Sequence, residues 1–394
     1  MVQISVDERR ARLGVRHRLA PEAWGATAVE ATRAVVALHS TDPATVFLST
    51  WARTRRFEPA DLELDLYEER VLVRMLGMRR TLHVVPRDAV PVIDAACTRA
   101  VAARARRRLE GFVAQSGVSS NPGRWIDDAA AVALRAVEAR GEAFTSEVCA
   151  DEPLLATKLK LGAGTRWETK ASAAARILPL LAAEGTVIRG RPRGSWSNGQ
   201  YRWAPARAWL GTELAPMEAA AAQAVLLRMW LAAFGPATET DLRWWTGWTA
   251  REARGALAAV PHVEVELDGA TGLVLADDTE RTRPPEPWAA LLPTLDPTTM
   301  GWKERDWHLG PHASLLFDRN GNAGPTVWWN GSVVGGWSQR RDGEIVFRLL
   351  EDVGADAGRA IEAEAARLAA WLGDVRFAPG FQAPFQRELS SGMG

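Results

Sequence analysis

The 394-residue sequence predicts an α+β chain: two similar helical units in tandem, a third and more degenerate one before them, and a β-rich region at the C-terminal end. Two observations carry this. The order helix, helix, helix, hairpin is legible over residues 124–205 and again over 216–277, a repeat of architecture rather than of sequence. After Arg283-Pro284-Pro285-Glu286-Pro287 the texture changes, and Asn320-Gly321, Asn330-Gly331 and Asp342-Gly343 punctuate runs of Val and Trp as hairpin turns punctuate a meander.

From Ala26 to Arg56 the pattern predicts two helices broken at His39 to Pro43. Thr32, Val35, Val36 and His39 fall at i, i+3, i+4 and i+7, so the imidazole extends an apolar helical stripe. Asp42-Pro43 has the form of an N-cap followed by a first-turn proline. An acidic segment with interleaved leucines, Glu58 to Glu69, leads into strands at Val71 to Leu76 and Met78 to Val85. Period two then puts Arg79, Thr81 and His83 on one face. Residues 87–116 read as helical and carry the cluster Arg104-Ala105-Arg106-Arg107-Arg108, and Ser119 to Gly123 reads as a linker.

In the first clear unit a helix from Asp127 to Arg140 precedes a helix start at Thr145-Ser146-Glu147. A helix from about Trp167 to Ala183 follows, then strands Thr186 to Arg189 and Gln200 to Trp203 around a loop carrying Arg191, Arg193 and Trp196. The second has helices Met217 to Phe234, Thr238 to Trp244 and Thr249 to Ala258. Its hairpin runs through Asp268-Gly269. Three helices and a hairpin is the winged-helix order, in which the third helix reads a groove and the hairpin tip is the wing. The expected domains are an N-terminal winged-helix-like one (1–120), two clear winged helices (121–210 and 211–285) and a C-terminal β-barrel-like domain (286–394), with one helix, Ala355 to Leu372, and a last strand near Phe377.

Composition narrows the chemistry. The formal net charge is zero, so nothing in the sum argues for nucleic acid and its distribution becomes the question. Cationic residues other than Lys158, Lys160, Lys170 and Lys303 are all Arg, which a GC-rich coding sequence explains as well as phosphate recognition does. Cys97 and Cys149 make neither a disulfide framework nor a zinc site, and a reducing cytoplasm is expected. Eighteen tryptophans are mostly packing, with several placed to line a groove. The charged N-terminus does not read as a signal peptide, and no run approaches the ~18 apolar residues of a membrane span.

Gly-rich phosphate loops, a zinc-deaminase signature, a Ser nucleophile elbow and clustered Cys/His ligands are missing from the sequence. Asp318 to Asn322 superficially suggests a calcium loop, but no Glu follows at the required spacing. Chemistry that needs only a positioned water and an electrostatic stabiliser is left, and hydrolysis of a weakened N-glycosidic bond is of that kind. A purine alkylated at N7 or N3 already carries positive charge, so its departure needs little acid assistance. His39, Thr41 and Asp42 are the candidates for holding water and stabilising the sugar cation. The same corner also reads as plain structure: a cap, a local backbone bonder and a buried histidine. The wing arginines likewise read as DNA contacts or as an ordinary basic turn, and Asp296 to Asp306 as a DNA-facing loop or a structural connection.

The sequence resembles the bacterial winged-helix DNA glycosylases of the AlkZ/YcaQ type over nearly its full length. The matching stretches, in order, are Val36 to Pro43, Met78 to His83, Arg191 to Trp196, Phe234 to Thr238 and Asn330 to Trp337. The resemblance implies tandem winged helices and a C-terminal β domain around a DNA channel. It also implies removal of alkylated purines, including bulky or cross-linking antibiotic adducts. The family pattern in the opening stretch is Gln, a spacer, then Gln or Asp; here His39, Ser40 and Thr41 stand there, leaving Asp42 the only anion of the motif.

The expectation is therefore a monofunctional DNA glycosylase acting on N7-guanine adducts in duplex DNA, in repair or antibiotic self-resistance. It would need no cofactor or metal and act as a cytoplasmic, nucleoid-associated monomer. His39, Thr41 and Asp42 would be catalytic, and Arg79, Thr81, His83, Arg191, Arg193, Trp196, Lys303 and Arg305 would contact DNA. The alternative is a winged-helix regulator or drug-sequestering protein that binds without cutting.

Overall fold

The computed structural model describes residues 2–377, 380 and 382–390. Helix Ala28–Ala34, N-capped by Thr27, ends five residues before His39, the last position of the apolar stripe. Val36 adopts a left-handed φ of 65°, costly for a β-branched residue, and the chain turns there into the short strand Leu38–His39. His39 thus belongs to a sheet, not to a helix. Asp42 caps the next helix, Pro43–Trp51, as its sequence suggests. The second expected strand also starts late, because Met78–Arg80 is a single turn with Arg79 and Arg80 both at positive φ. Leu72–Leu76, Leu82–Pro86 and Leu38–His39 then form an antiparallel sheet with Leu82–Pro86 in the middle.

Residues 109–203 hold a core of their own, built by helices Pro122–Arg140, Thr145–Asp151 and Ala174–Ala183 and the hairpin Val187–Pro192/Tyr201–Pro205. The expected helical start near Trp167 is instead a loop and a strand. Thr169–Ser172 pairs with Lys158–Leu161, whose Leu159 and Leu161 alternate into the core. Helices Ala219–Phe234, Glu239–Thr246 and Ala250–Ala259 are followed by the hairpin His262–Leu267/Ala270–Leu275, turned at positive φ by Asp268 and Gly269. The N-terminal strand Val2–Gln3 adds in parallel to that hairpin, a long-range pairing with no local signature.

The C-terminal region is an open sheet, not a barrel. Its order is Ala289–Leu292, Thr326–Trp329, Ser332–Gln339 and Ile345–Leu349, and the two outer strands do not pair. Among the described residues the sheet has four strands, and one face is covered by helix Gly354–Leu372. Among the described residues around Phe377, Val375–Phe377 form no strand, and 378, 379 and 381 lie outside the described residues. One continuous core joins residues from 13–97, 188–292 and 302–385, with Trp230, Trp328 and Trp337 fully buried in it. No helix among the described residues is long and apolar enough to cross a membrane.

Candidate active site

Antiparallel pairing sets His39 directly opposite His83, so both imidazoles leave the sheet on one face. Their ring centroids are 5.4 Å apart in an edge-on arrangement. Nδ1 of His83 lies 3.1 Å from the carbonyl of Thr81, which can only accept, so the ring proton sits on Nδ1 and Nε2 is an acceptor. The Thr81 hydroxyl, 3.4 Å from that Nε2, donates its own proton to the Met78 carbonyl and leaves the acceptor free. On His39 the roles are reversed. The amide of Thr41 donates to Nδ1 over a long 3.4 Å, which puts the proton on Nε2 as a donor.

Burial lowers both imidazoles, with Arg79 adding to it: His83 is pushed down to about 4, and His39, which also feels His83, falls well below its ordinary value. Both rings are therefore neutral at pH 7. Gly77 lets the pair seat closely, since a Cβ there would come within 3.2 Å of both His83 Nδ1 and Ile93.

The two rings, Arg79 and Thr81 line a pocket of only ≈ 50 Å³ closed by Met78, Trp245, Pro297, Met300 and Asn322. That is room for a few water molecules. At its mouth Arg79 stacks on Trp244 at 3.9 Å and Arg305 approaches the same ring at 4.8 Å. Burial and the charge of Arg79 bring Arg305 down to about 10, against the opposing charges of Asp241 and Asp306, and among the described residues neither guanidinium is in a direct ion pair. Two guanidiniums outside any direct ion pair, one of them Arg79 in the pocket lining, suit a polyanion better than a small neutral ligand.

Residues 32–371 match the family model described as DNA glycosylase AlkZ-like. The chain belongs to the AlkZ-like DNA glycosylase family. Its fold is similar to that of Streptomyces sahachiroi DNA glycosylase AlkZ, with a TM-score of 0.71 and 20% identity, over 95% of this chain and 99% of that one. No curated protein matches it.

The pocket of this AlkZ-like glycosylase is held from behind. Arg53 and Asp296, both fully buried, form a two-pronged ion pair at 2.7 and 2.9 Å, and Asp296 also accepts from Ser49 and from the Thr298 amide. This fixes Pro297 and Met300 against helix Pro43–Trp51. Asp241 accepts the amides of Lys303 and Glu304 and so sets the position of Arg305. The segment Asp296 to Asp306 is thus a buried connection at its start and a surface loop at its end, where Lys303 is exposed.

The other residues expected at the site separate. Thr41 is exposed and lines a neighbouring cleft of ≈ 500 Å³ with Arg189, Arg193, Tyr201 and Trp203. Asp42 is buried, its two oxygens taken by the amides of Ala44 and Gly380, and burial raises it above its ordinary value. Both oxygens being spent on backbone amides, it stands as a cap and not as the anion of the pocket. Ser40 accepts from Arg74 at 2.7 Å, and Arg74 also reaches Tyr67 and stacks on Tyr201, a buried support with no sequence signature.

Two of the residues expected at the wing already have partners within the chain. Trp196 is buried against Phe47 with ring centroids 4.6 Å apart, and Arg191 is ion-paired to Glu63 and Glu68. Arg193 remains exposed, over Phe144. The Asp318 carboxylate is filled by N–H groups of Asn320 and Asn322, an Asx turn in place of a cation site. That turn delivers Asn322 to the pocket, a residue the sequence offered only as a turn former.

Proposed function

We propose that this glycosylase hydrolyses the N-glycosidic bond of a purine carrying an alkyl or bulky adduct, N7-guanine adducts foremost, in duplex DNA and as a monomer. The observation that carries this is the pair of neutral imidazoles on adjoining strands, a free donor on one and a free acceptor on the other, in a pocket of water's size. As the C1′–N9 bond breaks, its electron pair neutralises the cationic base and leaves an oxocarbenium sugar. Water held by the two rings adds to C1′, and its proton passes to Nε2 of His83. A base as weak as His83 suffices, because water becomes strongly acidic as it bonds to a sugar cation. The products are the free base and an abasic site, with no lyase step.

In this reading His39 takes the water-holding role at the family's first catalytic position. Thr41 and Arg193, in the adjoining cleft, face the DNA strand, with Arg79 and Arg305 on its phosphates. Residues 122–205 and 219–275 act as tandem winged helices, supported by their element order, with a degenerate copy before them. Expulsion of the adducted base into a pocket is not required, since the chemistry asks only for water beside C1′. The test is incubation of the protein with N7-methylguanine duplex in the presence of a chelator. Free N7-methylguanine and an alkali-labile abasic site support the reading. DNA binding with no release from a panel of alkyl and bulky adducts sinks it in favour of a non-catalytic binder.

A further inference from the structure

Arg79 lines the imidazole pocket; its neighbour Arg80, also left-handed at φ 60°, lines a different one. This second cavity holds ≈ 460 Å³ between helix Arg99–Gln115, helix Ala174–Ala183 and the loop carrying Trp167. Its walls are apolar, led by Leu109, Phe112 and Leu180. Its rim carries Arg80, Arg108 and Arg176.

Among the described residues none of these three arginines has an ion-pair partner, although Arg106 on the same helix pairs with both Asp127 and Glu184. Desolvation and the nearby charge of Arg108 both push Arg176 below its ordinary value. Trp167 is 66% exposed, the most exposed large apolar side chain among the described residues, with Arg166 over its ring at 4.6 Å.

An apolar slot with an exposed indole and three uncompensated cations at its mouth fits a planar ring that carries anionic groups. In a protein that acts on DNA, such a ligand is a nucleotide. We propose that this cavity takes one unstacked nucleotide of the bound DNA, its phosphates on Arg80, Arg108 and Arg176 and its base between Phe112 and Trp167. It is a different nucleotide from the one at His39, because the two cavities share no lining residue, Arg79 belonging to one and Arg80 to the other. An adduct too bulky for the base stack displaces a neighbour, and a prepared slot lowers the cost of that unstacking. The inference rests on the reading of the chain as acting on DNA.

The test compares binding of the full-length protein, by fluorescence anisotropy, to a paired duplex and to the same duplex with one unpaired nucleotide. The wild type is expected to prefer the bulged duplex on the order of tenfold, the worth of one base stacked on an aromatic ring. Trp167→Ala and the double variant Arg108→Ala/Arg176→Ala should lose that preference while binding paired duplex as the wild type does. All three positions are exposed, so thermal unfolding should be unchanged. Equal wild-type affinity for the two duplexes overturns the proposal. So does a loss of affinity shared equally by both, which would make the arginines ordinary backbone contacts. Base release from alkylated duplex, measured on the same proteins, separates the two readings: bulge preference without release refutes the glycosylase chemistry and leaves the cavity assignment standing.

Discussion

His39 and His83 stand opposite each other in neighbouring strands, with ring centroids 5.4 Å apart and complementary proton positions. Neither imidazole can be replaced by the other. Replacing His83 with Ala removes the acceptor for the water's proton and should slow base release by about 10²–10⁴-fold. His83→Gln, which keeps an acceptor, should recover part of the rate. Affinity for paired duplex should hardly move, because His83 carries no charge at neutral pH. A rate loss that follows a loss of DNA affinity would assign His83 to binding instead.

Acid should destabilise the fold early. Unfolded imidazoles protonate near 6.5, whereas buried His17 and His83 do so only near 3 and 4, and burial also depresses His39 and His308. As pH falls below 6.5 the unfolded chain takes up protons that the native one refuses. Native stability is therefore complete above about pH 7 and lost on acidification, by about 3 kcal/mol each for His17 and His83 at pH 4. Asp42 and Asp241, raised by burial, return part of this as they protonate at lower pH. Denaturant midpoints measured from pH 7.5 to 4.5 should fall steadily, and a flat profile would contradict the neutral assignment of these rings.

Arg79 and Arg305 share the Trp244 ring, and neither is in a direct ion pair among the described residues. Replacing both with Ala should lower the slope of log affinity against log salt by about 0.9 for each phosphate contact removed. Arg191→Ala should leave that slope alone, since Glu63 and Glu68 already neutralise it. Equal slopes for the double variant, Arg191→Ala and the wild type would place the DNA elsewhere.

Arg53→Ala leaves Asp296 charged, fully buried and without its main partner. Loss of about 3–5 kcal/mol of stability is expected. The double variant Arg53→Met/Asp296→Leu should cost much less, and chemical denaturation of the pair of variants distinguishes the two. Similar costs for both would mean that the ion pair stabilises in its own right.

Much of the frame was legible in local sequence. The hairpin turn at Asn330-Gly331, the Asp42-Pro43 helix start and the helices of residues 219–259 obey short-range rules of capping, turn chemistry and period. The candidate site was legible residue by residue but not as an arrangement. The stripe ending at His39 reads as helical because nothing local announces a left-handed Val36, which the sheet partner stabilises. Arg79, Thr81 and His83 share one pocket, yet Arg79 reaches it from a left-handed turn and not from a flat strand face. Trp196 and Arg191 look exposed because the residues that cover them, Phe47, Glu63 and Glu68, lie more than a hundred positions away. The barrel failed for a related reason: turn signals count strands but do not say whether the outer two will meet.

The most direct test of the central claim is a double-mutant cycle on single-turnover base release from N7-alkylguanine duplex. If His39 and His83 hold one water between them, His39→Ala, His83→Ala and the double variant should fall to nearly the same residual rate, since either loss empties the pair. Losses that multiply in the double variant, or a full rate in either single one, would contradict the account.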